Sequence, residues 1–153
     1  MGMTTRLGID DVRPLISAGS VASKAVVGEV IPVTALVWRE GHDAVSATLS
    51  AWAARSTATS SVTMQVDPKD QDRVHGVFTP GTQGTWYFRV DAWSDPIATW
   101  KNAVTKKMAA GQSAAELAND LQHGADLFSR AALQTPSDIV APVFAAARDL
   151  EDE

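Results

Sequence analysis

Cysteine is absent from the 153 residues, which removes disulfides, thiol nucleophiles and thiolate metal ligands from consideration. Basic charge is scarce as well. Thirteen lysines and arginines stand against 18 aspartates and glutamates, for a formal net charge of -5. Lys106-Lys107 is the one basic pair of note, so a surface for nucleic-acid phosphates is not expected. Met1 to Arg6 lacks the apolar centre of a signal peptide, and no apolar run approaches the roughly 20 residues that span a bilayer. The chain therefore reads as soluble and cytoplasmic, with neither nucleic acid nor membrane as partner. No Gly-x-Ser-x-Gly elbow and no His-x-x-x-His pair occurs, so neither a serine hydrolase nor a zinc site is written in the sequence.

What is present is apolar and strand-like. Hydrophobic residues make up 45%, enough for a core of ordinary size. The most telling stretch runs from Gly84 to Asp95, where Trp86, Phe88 and Val90 alternate with Tyr87, Arg89 and Asp91. A period of two places the first set on one face of a strand and the second on the other, and Asp95-Pro96 ends the ladder. Leu7 to Ser17 carries Pro14 and reads as an edge strand. Val30 to Arg39 places Ile31, Val33, Ala35 and Val37 on one face, and Val45 to Ala53 places Val45, Ala47, Leu49 and Ala51 inward. Val62, Met64 and Val66 read as one short strand, and Arg73 to Thr79 as another with Val74, Gly76 and Phe78 on one side. Short strands punctuated by Gly, Pro and Asp about every ten residues mark an antiparallel β-sandwich.

Ile97 to Met108 fits either period, and a last strand through about Val104 is the preferred reading. From Ser113 the period becomes helical. Ser113 with Glu116 is a capping-box pattern, and Leu117, Leu121, Gly124, Phe128 and Ala131 form one apolar stripe. Thr135 to Asp138 should open a second helix, with Pro142 kinking or restarting it and Val143, Phe144, Ala147 and Leu150 continuing an apolar face. The expected organisation is mainly β: an immunoglobulin-like antiparallel sandwich over 6–108, then two helices over 112–153 that read as an incomplete bundle. Two such helices ending at Asp149 to Glu153 suggest a fragment.

Four separated blocks resemble one enzyme family. They are Arg6 to Ile9 through Val12-Arg13-Pro14, Gly28 to Val33, Trp38 to Asp43, and Gly84 to Trp100; Asn119 to Ala125 resembles the start of that family's helical insertion. The family is the bacterial α-1,4-glucan:maltose-1-phosphate maltosyltransferases of the α-amylase superfamily. The resemblance implies a cytoplasmic homodimer that extends α-glucans from α-maltose 1-phosphate with retention. Its aspartate nucleophile and glutamate acid/base would lie on a (β/α)₈ barrel C-terminal to this chain. It implies that this stretch is a non-catalytic, immunoglobulin-like N-terminal domain without cofactor, serving dimerisation and support of the barrel.

Candidate sites are accordingly contact sites. His42, His75 and His123 fall on a loop, a strand and a helix, without metal-ligand spacing. Asp67-x-x-Asp70-x-Asp72 could hold calcium only weakly, since Pro68 intrudes and no bidentate glutamate follows, and a solvated turn is the ordinary reading. Of five tryptophans, Trp86 is assigned to the core, and Trp38, Trp52, Trp93 and Trp100 are candidates for outward contacts. Protein interface, packing under loops and stacking on an α-glucan all remain open for them. Arg39, His42 and Asp43, on the tip between two strands, are either a solvated turn or a contact loop.

Overall fold

The computed structural model describes residues 7–134 and 140–151, and the chain divides into two compact units at Ser94/Asp95.

Among the described residues, the first unit holds seven strands: β1 (Leu7–Arg13), β2 (Ile31–Arg39), β3 (Val45–Ala53), β4 (Ser60–Thr63), β5 (Gln65–Asp67), β6 (Asp70–Phe78) and β7 (Trp86–Ser94). They form two antiparallel sheets, ordered β1-β2-β6-β5 and β4-β3-β7. The alternation read from the sequence sets their facing sides. Val33, Ala35, Val37 and Val74 from one sheet pack with Ala47, Leu49 and Val90 from the other in a single buried cluster. Gly76 belongs to this layer because a Cβ there would come within 3.1 Å of Leu49 Cδ2. β1 lies at an edge, as its proline requires, with Pro14 just beyond its last residue.

Two expectations change in this unit and beside it. The single strand expected over Val62, Met64 and Val66 is two strands in different sheets, with the buried Met64 at the crossing and its N–H bonded to Ala47 O at 2.8 Å. The last strand expected through Val104 is a helix, α1 (Pro96–Ala109), and the sandwich unit closes at Ser94 rather than at 108. The physical reason lies in Asp95-Pro96. Asp95 Oδ1 accepts the Ala98 N–H at 2.8 Å and Pro96 fills the first turn, where its missing N–H costs nothing.

Among the described residues, α1 is followed in the second unit by the two C-terminal helices expected, α2 (Ala114–Ala132) and α3 (Val140–Glu151). Gly111, at φ +85°, ends α1 in a Schellman turn: its N–H bonds to Met108 O at 2.9 Å, and the Gln112 N–H to Lys107 O at 3.2 Å. α2 starts as its capping pattern predicts, with the Glu116 carboxylate accepting both the N–H and the hydroxyl of Ser113 at 2.8 Å. Its buried set is Leu117, Gly124, Ala125, Leu127 and Ala132, wider than the stripe read from the sequence, because α2 packs against α1 and α3 together. α3 is described from Val140 onward and contains Pro142. The helix start expected at Thr135 to Asp138 lies outside the described residues.

Candidate functional site

Alternation that buries one face of β3 and β7 must turn the other outward, and register decides what meets there. β3 and β7 pair residue for residue, bringing Trp52 opposite Tyr87, Ser50 opposite Arg89, Thr48 opposite Asp91 and Ser46 opposite Trp93. On the other side of β3, Thr48 faces Thr63 and Ser50 faces Ser61. The result is a face with aromatics at both ends and polar groups between. Trp52 and Tyr87 have ring centroids 6.0 Å apart, tilted by 33°. At the far end Trp93 donates its Nε1–H to Thr48 Oγ1 at 3.1 Å. Between them Arg89 Nε meets Asp91 Oδ2 at 2.9 Å, and the Ser50 and Ser61 hydroxyls lie 2.9 Å apart. Trp52 and Ser46 are six residues apart on one strand, so the aromatic ends are separated by ~20 Å at 3.4 Å per residue.

The tip after β2 is held rather than free. Arg39 Nη2 pairs with Asp43 Oδ2 at 3.0 Å, and Nη1 donates to Ser94 Oγ at 3.0 Å. Arg39 Nε is buried with no hydrogen-bond partner among the described residues. The cation is thus locked across the sandwich end, while His42 beside it is exposed. Trp38 lies on the opposite sheet, over Gly8, with Nε1 donating to Asp10 Oδ2 at 2.7 Å. Trp100 sits in the helical unit, Nε1 donating to Asp120 O at 2.6 Å and its ring edge-on to Phe128.

Of the candidates, then, Trp52 and Trp93 share one face, Arg39 and Asp43 form one ion pair, and Trp38 and Trp100 stand apart. Trp86 turns toward Phe78 and caps one end of the core layer, its Nε1–H bound to Thr82 O at 3.0 Å. Tyr87, Arg89 and Asp91 complete the aromatic face and were not singled out as site residues from the sequence. Their alternation was visible, but their neighbours depend on the pairing of β3 with β7.

The acidic turn is occupied by its own backbone. Asp67 Oδ1 accepts the Lys69 N–H at 2.7 Å and Oδ2 meets His75 Nε2 at 2.8 Å. Those bonds, the Lys69 N–H foremost, hold the Asp67 carboxyl below its usual value. Asp70 Oδ1 in turn accepts the Asp72 N–H at 3.2 Å. Among the described residues, no group of three or more His, Asp or Glu side chains is placed to hold a metal ion. Nor is any helix among them long and apolar enough to cross a membrane.

A β1-β2-β6-β5 sheet facing a β4-β3-β7 sheet, with an aromatic outer face on the second and helices following in the chain, defines an immunoglobulin-like sandwich domain. The family model for domain N/S of alpha-1,4-glucan:maltose-1-phosphate maltosyltransferase matches residues 5–153, and the chain belongs to that family. Enzymes of that name are similar to it in Corynebacterium pseudotuberculosis (53% identity, 97% of this chain and 22% of the relative) and Corynebacterium glutamicum (54%, 85% and 20%). The one in Mycolicibacterium smegmatis is 46% identical over 95% of this chain and 24% of its own length. The chain therefore spans about a fifth of these relatives.

Proposed function

We propose that this chain is the non-catalytic N-terminal part of a maltosyltransferase that extends α-1,4-glucans from maltose 1-phosphate. Its work is to join two copies of the enzyme and to brace a catalytic barrel supplied elsewhere in the polypeptide. The observation that carries this reading is the outer face of β4-β3-β7, where Tyr87 and Trp93 are 52% and 40% exposed beside Arg89. Trp, Tyr and Arg are the residues that concentrate binding energy at protein interfaces, through large area and low ordering cost. The test replaces Arg89 and Trp93 by Ser in the full-length polypeptide and follows self-association by sedimentation velocity. Hot-spot truncation costs about 2 kcal/mol, so the dimer should weaken by about 30-fold. Unchanged dimer affinity sinks the interface reading.

The Trp52–Tyr87 pair favours a second reading, an α-glucan platform, because two adjoining rings can stack on the apolar faces of a sugar. Titration with maltoheptaose, with a cellulose-derived oligomer as control, separates the two. A saturable change in tryptophan fluorescence with the α-glucan alone, lost in Trp52→Ala, supports the platform. A flat response removes it.

A further inference from the structure

One end of the sandwich carries a cavity that neither contact reading uses. Its volume is about 580 Å³, within the roughly 300–1,000 Å³ of small-molecule sites. It lies between the end of β3, the turn after it and the loop before β7. Toward the sandwich its wall is apolar. Ala51 and Ala53 offer nothing beyond Cβ, and Trp86 lines the space with ring surface, because its Nε1–H already donates to Thr82 O at 3.0 Å and its ring packs on Phe78. Both loops are tied down: the Ala54 N–H donates to Thr85 O at 2.8 Å, and the Ser56 N–H to Ala53 O at 3.0 Å.

The mouth is polar and carries a cation. Arg55, Thr59 and Thr82 line it and are exposed. Every other described arginine of this unit is matched by carboxylate: Arg13 by Asp11, Arg39 by Asp43, Arg73 by Asp11 and Asp70, Arg89 by Asp91. Arg55 has no ion pair among the described residues. It also sits at φ +69°, in the left-handed region that a glycine would occupy without penalty. A strained, unmatched cation at the mouth of a cavity has no evident part in folding, and it suits an anionic ligand.

We propose that this cavity binds a nucleoside monophosphate, independently of the role in assembly. The base enters the slot beside Ala51, Ala53 and Trp86, the ribose meets the Thr59 and Thr82 hydroxyls, and the phosphate reaches Arg55. The order of surfaces, apolar, then hydroxyl, then cation, is the order of groups along such a ligand. A flat base gains by stacking on an indole and asks nothing polar of the alanines. A sugar ring in the same slot would leave its hydroxyls without partners. The guanidinium fork matches two phosphate oxygens at once. With a net charge of -5, the chain accepts one small anion more readily than a nucleic-acid strand.

Titration of the 153-residue chain with adenosine 5′-monophosphate, followed by proton–nitrogen NMR, tests this, with α2 amides reporting an intact fold. The Trp86 indole and the Arg55 and Thr82 amides should shift saturably below about 10 mM ligand. Adenosine, inorganic phosphate and glucose 1-phosphate, each given alone, should bind about tenfold more weakly or worse, since each lacks one of the three groups or the flat base. Arg55→Gly should lose affinity about tenfold while its thermal midpoint stays level or rises, which separates the cation from the fold. Ala53→Leu, which fills the slot, should abolish the shifts. Absence of saturable shifts at these positions overturns the proposal. So does equal binding of glucose 1-phosphate or of phosphate alone, or undiminished affinity in Arg55→Gly.

Discussion

Gly124→Ala sets two physical effects against each other inside the helical unit, and the structure says which wins. Gly124 lies mid-helix in α2, where alanine is the better helix former by roughly 0.5–1 kcal/mol. Propensity alone therefore predicts stabilisation. The space does not allow it: a Cβ on Gly124 would intrude into the indole of Trp100, with Nε1 only 2.9 Å away. Nor can the ring step aside freely. Its Nε1–H is tied to Asp120 O at 2.6 Å and its ring packs perpendicular to that of Phe128, with centroids 6.0 Å apart. Overpacking costs about 1–3 kcal/mol, and loss of the indole hydrogen bond adds about 1 kcal/mol. The net should be a destabilisation of ~2 kcal/mol, read by urea unfolding followed by far-ultraviolet circular dichroism. The decisive arm is the background. In Trp100→Leu, where the obstacle is gone, Gly124→Ala should change sign and stabilise by about 0.5–1 kcal/mol. Stabilisation by Gly124→Ala with Trp100 in place, or the same sign in both backgrounds, refutes the reasoning.

Other perturbations read other parts of the chain. Leu49→Ala removes one of the largest fully buried side chains and should cost about 2–5 kcal/mol in urea unfolding of the sandwich, through lost transfer energy and the cavity left behind. Gly8→Ala should push the Trp38 ring off β1 and break its bond to Asp10, seen as a shift in tryptophan emission. Glu116 is held below its usual carboxyl value, first by the Ser113 N–H and then by the Ser113 hydroxyl. A depressed folded value means the contribution is present above the ordinary carboxylate pKa and lost as pH falls through the depressed one. The start of α2 should therefore fray in acid, and Glu116→Gln should weaken that acid step in a helicity titration. Tyr87→Ser should change stability by less than about 1 kcal/mol, since the ring is more than half exposed, so any loss of assembly in that variant reports on contact rather than folding.

The sandwich was legible because its strands bury one side each. Val33, Ala35 and Val37, or Ala47, Leu49 and Ala51, state both strand and inward face through a period of two, and all six are buried. Met64 shows the limit of that signal. Val62, Met64 and Val66 keep the alternation, yet the chain changes sheets between them, which period alone cannot reveal. Ile97 to Met108 failed for a different reason: Trp100, Val104 and Met108 suit a helix as well as Ala98, Trp100 and Val104 suit a strand. The local chemistry could have decided it, because Asp followed by Pro is a helix-start signal as much as a strand stop. The aromatic face was half legible. Trp52 and Trp93 were visible as outward rings, while their company of Tyr87, Arg89 and Asp91 depends on long-range pairing.

That Asp95-Pro96 step also decides how the sandwich ends. A hairpin from β7 into a neighbouring strand needs a donor ladder and a turn, and proline supplies no N–H for the ladder. With Asp95 capping the next turn, a single residue separates β7 from the helix, and the Ala98 N–H of its first turn is satisfied at once. The sequence thus stabilises departure from the sheet at the point where a sandwich would ordinarily add its neighbouring strand. The inward side chains of β7 complete the core, Val90 inside the cluster with Val33 and Leu49 and Phe88 and Ala92 packed against it, so the strand ends by packing just where the helix start takes over.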